Sequence, residues 1–272
     1  MVNSNGNLIS NLNEIPSDFI SKLHTQLSVS ELLRVEKSNI LFWEHHYFRI
    51  LAGLRRHRYE IPVDYTMEYL EAEIVKLKSH HPTNQDSVLI RIQFLPYKNS
   101  VGFLISLKEV KALHELKSKE AYTLDLFKEA CIQATRLSNL STTNATIFTI
   151  GKRYAEENGL DDCVLLNDDK NIVETLQGSL YLFQENKILT PSLECGCQDF
   201  GLRSAFNEWL EKEQKSIPLL QQAINPFELQ KSEELMVLSL EQGGQNITQY
   251  RKTNYNSNKM QQLFSNFLKR LY

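Results

Sequence analysis

The chain has 272 residues, a net charge of −3, 42% hydrophobic and 23% charged residues. That length supports one large or two smaller domains, and the composition is that of a soluble globular protein. The charge balance argues against nucleic-acid binding, and no apolar run approaches the ~20 residues that span a bilayer.

Val29 to Val35 and Asn39 to Trp43 read as short strands around the turn Glu36-Lys37-Ser38, and a helix is expected from Glu44 to Arg58. The basic run Arg55-Arg56-His57-Arg58 reads as its solvated end. Met67, Leu70, Ile74 and Leu77 recur at helical spacing behind Asp64 as candidate cap, and His81-Pro82-Thr83-Asn84 ends that helix. Val88 to Leu95 and Val101 to Leu107 pair across Lys98-Asn99-Ser100. The charged stretch from Lys108 to Glu120 lacks apolar periodicity. It divides an N-terminal domain, residues 1–115, from a C-terminal domain, residues 121–272, with 116–120 as linker.

Tyr122 to Phe127 alternates as a strand, and Asn144 to Glu157 fits a helix that Gly159 closes. Cys163 to Leu166, Ser179 to Phe183 and Lys187 to Thr190 are strands joined by polar turns. A helix over Leu202 to Lys212 follows, then strands Glu234 to Ser239 and Asn246 to Arg251 flanking Gly243-Gly244, and a last helix from Lys259 to Leu271. Two sheet-containing halves with few regular crossover helices predict the α+β class. The polar N-terminus, without a signal-peptide core, and four cysteines suited to a reducing compartment predict a cytoplasmic location. Cys195-Gly196-Cys197 is a lone CxC without a matching pair, so no metal is expected.

Four segments carry a resemblance. They are Phe42 to Arg49, with His46 three residues before Arg49; Ser138 to Asn144; Asn158 to Asn167 running on to Glu174; and Leu189 to Arg203. In order and spacing the chain resembles the class IV, or fold type IV, family of pyridoxal phosphate (PLP) enzymes. That family includes branched-chain and D-amino acid aminotransferases and aminodeoxychorismate lyases. The resemblance implies the two-domain D-amino acid aminotransferase-like fold, a homodimer with sites at the domain junction, and an amino or chorismate-derived ligand. It also implies that Arg49 grips the PLP phosphate, that Glu174 pairs with the pyridine nitrogen, and that Gly201, Leu202 and Ser239 are further cofactor contacts. Read alone, Arg49 is equally a surface helix arginine and Glu174 an exposed strand-end glutamate.

The departures from the family pattern fall on the chemistry. Ser141 occupies the position of the lysine that binds the cofactor, and a serine cannot form an imine. Phe200-Gly201-Leu202-Arg203 replaces Gly-Ile-Thr-Arg, Ser179 replaces an asparagine, and Ala145 an active-site tyrosine. Gln26 to Glu31 keeps only the glutamate of a Gly-Asp-Gly-x-Phe-Glu stretch. Lys152, eleven residues beyond Ser141, lies about 16 Å away along a helix and cannot substitute. Ser141, Thr142 and Thr143 also suit the N-cap of the following helix, a bland role for the serine. The expected function is therefore a divergent member with lost or much reduced PLP chemistry that acts by binding an anion or small ligand. The alternative is an active aminotransferase or lyase that holds PLP non-covalently.

Overall fold

The computed structural model describes residues 1–25, 28–81, 86–98, 100–142, 145–256 and 258–271. The expected turn residues Pro82-Thr83-Asn84 and Asn99 lie outside them, as do Gln26, Leu27, Thr143 and Asn144. The chain divides into two compact units: residues 1–112 with 140–144, and residues 113–139 with 145–272.

In chain order the first unit holds β1 (Val2–Ser4), β2 (Asn7–Ile9), α1 (Ser17–Thr25), β3 (Val29–Glu36), β4 (Asn39–Ile40), α2 (Trp43–Arg56), α3 (Met67–His80), β5 (Ser87–Tyr97) and β6 (Ser100–Glu109). Its antiparallel sheet has the order β2-β1-β6-β5-β3-β4. Leu70, Ile74 and Leu77 of α3 and Ile50 and Leu54 of α2 are fully buried in one core with Leu33, Ile90, Ile92, Phe94 and Phe103. The apolar helical spacing thus reports a buried face, as expected. Gly53 lets α2 come close to β3: a Cβ there would lie 2.7 Å from Val29 Cγ1. The N-cap of α3 is Thr66, whose hydroxyl accepts from Tyr69 N at 3.2 Å, rather than Asp64. The strand expected to reach Trp43 stops at Ile40, because Phe42 turns left-handed and α2 begins at Trp43.

The second unit holds β7 (Thr123–Leu126), α4 (Thr146–Glu157), β8 (Asp162–Leu166), β9 (Ile172–Thr175), β10 (Ser179–Gln184), β11 (Lys187–Pro191), α5 (Gly201–Glu213), β12 (Leu219–Gln222), α6 (Glu228–Lys231), β13 (Glu234–Ser239), β14 (Gly243–Ile247), β15 (Gln249–Tyr250), β16 (Thr253–Asn254) and α7 (Lys259–Leu268). Its two five-stranded sheets run β12-β11-β10-β13-β14 and β16-β15-β7-β8-β9, and both contribute to a single apolar cluster. Phe206 and Trp209 of α5 stack at 5.8 Å, and Phe267 of α7 meets Phe206 edge-on at 5.3 Å. Gly243 and Gly244 lie inside β14 rather than between strands; Gly244 sits under the Phe264 ring, where a Cβ would come within 2.6 Å. Ser118, in the stretch expected to link domains, accepts from Asn246 N and Gln245 Nε2 at 2.9 and 2.6 Å.

Candidate functional site

The sequence-derived site residues fall into two groups, one in each unit. In the first, Glu31 projects from β3 and is met by two residues of α2. His46 Nδ1 lies 2.7 Å from Glu31 Oε1, and Arg49 Nε donates to Oε2 at 2.8 Å. All three are buried, His46 completely. Arg49 is therefore not the exposed helix arginine of the bland reading. Burial by itself would raise the Glu31 carboxyl, but the Arg49 guanidinium and the hydrogen bonds from His46 and Arg49 hold it below the ordinary carboxylate value.

Ser141 belongs to the same unit. Its carbonyl accepts from Ser30 N at 3.0 Å, and Thr142 bridges Val29, so this short segment lies antiparallel against β3. It is not a helix cap. The cap of α4 is Ala145, which makes no side-chain cap hydrogen bond. The pull of distant backbone donors on β3 outweighs the local N-cap preference of Ser and Thr.

In the second unit Glu174 is buried on β9 and accepts from Gln198 N at 3.2 Å through Oε2, which removes the exposed-glutamate reading. Gly201 and Leu202 open α5 and are buried, and Phe200 gives that helix no side-chain cap. Its first amide N–H groups lie at the positive end of a 13-residue helix, a suitable place for an anion. Ser239 ends β13, where its hydroxyl accepts from Gln242 N at 2.9 Å. Ser179 faces the neighbouring position, Leu238, across β10 and β13, and its buried hydroxyl has no partner among the described residues. Gly178 has to be glycine, because a Cβ there would fall 2.1 Å from Leu238 O.

The sequence did not reveal how far α5 depends on Arg203. That residue is 1% exposed and donates from Nη2 to Pro191 O at 2.7 Å, while Nη1 reaches Asp199 at 3.4 Å. Asp199 also accepts from Ser204 Oγ at 2.7 Å. Arg203 thus ties the loop after β11 to the start of α5. Cys197 in that loop is buried, and burial pushes its thiol up to about 12, so it is no nucleophile near neutrality. Among the described residues no group of three or more His, Cys, Asp or Glu side chains could hold a metal ion. No helix among them is long and apolar enough to cross a membrane.

Against PLP these residues fit only in part. The uncapped α5 N-terminus suits a phosphate and buried Glu174 suits a ring nitrogen. The residue at 141 offers a hydroxyl, which cannot condense with an aldehyde.

The amino-transferase class IV family model matches residues 28–250. No curated protein matches the sequence. Among solved structures the chain is similar to a branched-chain aminotransferase from the archaeon Thermoproteus uzoniensis (TM-score 0.83, 16% identity, 99% of this chain and 93% of that one). It is also similar to the Escherichia coli branched-chain amino acid aminotransferase (TM-score 0.83, 13% identity, 98% and 93%). A third is a hypothetical aminotransferase from Mycobacterium tuberculosis in its PLP-bound form (TM-score 0.81, 14% identity, 99% and 97%). At these identities the likeness establishes the fold, which is fold type IV.

Proposed function

The chain belongs to the class IV aminotransferase family, and from that premise we propose that it is a divergent member whose covalent PLP chemistry is lost or much reduced and which acts by binding an anionic ligand. The observation that carries this is Ser141. A lysine there would both hold the cofactor and shuttle a proton, and loss of a positioned general base alone lowers a rate about 10²–10⁴-fold. The backbone at Ser141 is pinned to Ser30, which fixes where its side chain begins. Lys128 and Lys152, the flanking lysines in sequence, are both exposed.

Anion binding is supported separately by Arg49 and by the α5 N-terminus at Gly201 and Leu202. The ligand is a small amino or chorismate-derived compound, and the protein works as a cytoplasmic homodimer. A second reading, an aminotransferase or lyase with non-covalent PLP, draws support from buried Glu174.

The test is spectroscopic. Purified protein incubated with PLP and passed through gel filtration is expected to emerge without an imine absorbance. Borohydride treatment is expected to leave every lysine peptide unmodified by mass spectrometry. A reduced PLP–lysine adduct would sink the proposal. Ser141→Lys is expected to gain a reducible imine.

A further inference from the structure

The two faces of α2 meet different surroundings. His46, Arg49, Ile50, Gly53 and Leu54 are its buried residues. The opposite face carries Glu44, Phe48, Leu51 and Arg55, at the i, i+4, i+7 and i+11 spacing of a single stripe, with Tyr47 and Ala52 on its two flanks. Glu44 and Arg55 are exposed, while Tyr47, Leu51 and Ala52 are half-buried. Phe48, near the middle of the stripe, is 55% exposed. The outer face of a solvated helix ordinarily carries polar side chains, and an apolar patch there marks a contact surface. This patch is held in place: the Tyr47 ring meets Phe48 edge-on at 5.7 Å, and Tyr47 OH donates to Tyr65 O at 3.1 Å. Less side-chain freedom is then lost when something covers it.

The charges at the two ends of the stripe identify what covers it. Glu44 lies in the first turn of α2 and Arg55 in the last. In an antiparallel pair of α2 helices about a two-fold axis, the register that sets Glu44 opposite Arg55 of a second copy also sets Phe48 opposite Leu51 and Tyr47 opposite Ala52. Each of these pairs occurs twice by symmetry. Opposite charges then meet at both ends, and apolar surface meets apolar surface between them. A parallel pair would set Glu44 on Glu44 and Arg55 on Arg55. The stripe is complementary to itself in the antiparallel sense alone.

We propose that the outward stripe of α2 is a self-association surface, on which a second copy of this chain docks antiparallel with Phe48 near its centre. The inference rests on the homodimer proposed above and assigns a surface to it. The aromatic patch supplies the buried centre of the contact, and the Glu44–Arg55 pairs at its rim fix the register.

Analytical sedimentation of the full chain over a range of concentrations tests this. Phe48→Glu is expected to halve the mass of the wild-type assembly. Glu44→Lys or Arg55→Glu alone puts like charges at both ends and is expected to weaken association about tenfold. The double variant Glu44→Lys with Arg55→Glu exchanges the charges and is expected to restore it. Both native charges also suit the dipole of α2 itself, so the readout is assembly mass and not stability. An assembly that keeps its mass in Phe48→Glu, or a double variant as weak as the single ones, overturns the inference alone. A monomeric wild type overturns the homodimer and the inference with it. If Phe48→Glu does not fold by circular dichroism, the charge-exchange series decides.

Discussion

Glu31 in the first unit and Asp162 in the second are both fully buried carboxylates, and their environments drive them in opposite directions. Glu31 meets a guanidinium and an imidazole and is held below its ordinary value. Asp162 meets only neutral donors: the Thr175 hydroxyl, Cys163 N at 2.7 Å, Leu176 N at 3.0 Å and Tyr122 OH at 3.3 Å. Burial pushes it up to about 6, and these hydrogen bonds offset only part of that rise. Neutral donors can position a buried carboxylate; a cation is needed to keep it readily ionised. The first arrangement lies among the site residues, and the second fastens the start of β8 to the end of β9.

The largest effect is expected where the cation is removed. Arg49→Met leaves Glu31 with only its imidazole partner, and breaking such a buried pair costs about 3–5 kcal/mol, read as a lower urea midpoint. A loss below about 1 kcal/mol would mean that His46 alone suffices. Asp162→Asn should act in the other direction. The folded state holds the Asp162 proton more tightly than the unfolded state does. Its stabilising contribution is therefore complete below the ordinary aspartate value of 3.8 and is lost as pH rises through about 6. The wild type should lose roughly 3 kcal/mol of stability over that window, and Asp162→Asn should flatten this part of the profile. An unchanged profile would make the two carboxylates alike. The smallest effect is expected from Tyr122→Phe, which removes one neutral donor at a cost of about 1 kcal/mol and raises Asp162 further. A shift of the falling step of the stability–pH profile toward higher pH would show it.

The sequence made the apolar periods legible. The buried face of α3, the strands β3, β5 and β10, and the end of α4 at Gly159 could be read from spacing and turn residues alone. Strands of three or four residues such as β1, β2 and β12 have too short a period to signal themselves, and α1 was not anticipated. Arg49 and Glu174 were singled out only by resemblance, because neither residue type predicts burial. Their partners, Glu31 and Gln198 N, lie far off in sequence. The same limit applies to Ser141: its local sequence suggests a cap, and only the distant backbone of β3 gives its carbonyl a partner.

That pairing also sets an order for synthesis. β4 covers β3 only at Val35 and Glu36, and the opposite end, at Val29 and Ser30, is met by residues 141 and 142. A nascent chain that has just completed β6 holds every other strand of the first sheet but leaves that end uncovered. All of β7, and the whole stretch up to 142, must be translated before the edge is closed. A fragment ending at residue 112 would therefore expose an unpaired edge strand, a known route to aggregation. Separate expression of the halves has to carry residues 140–144 with the first.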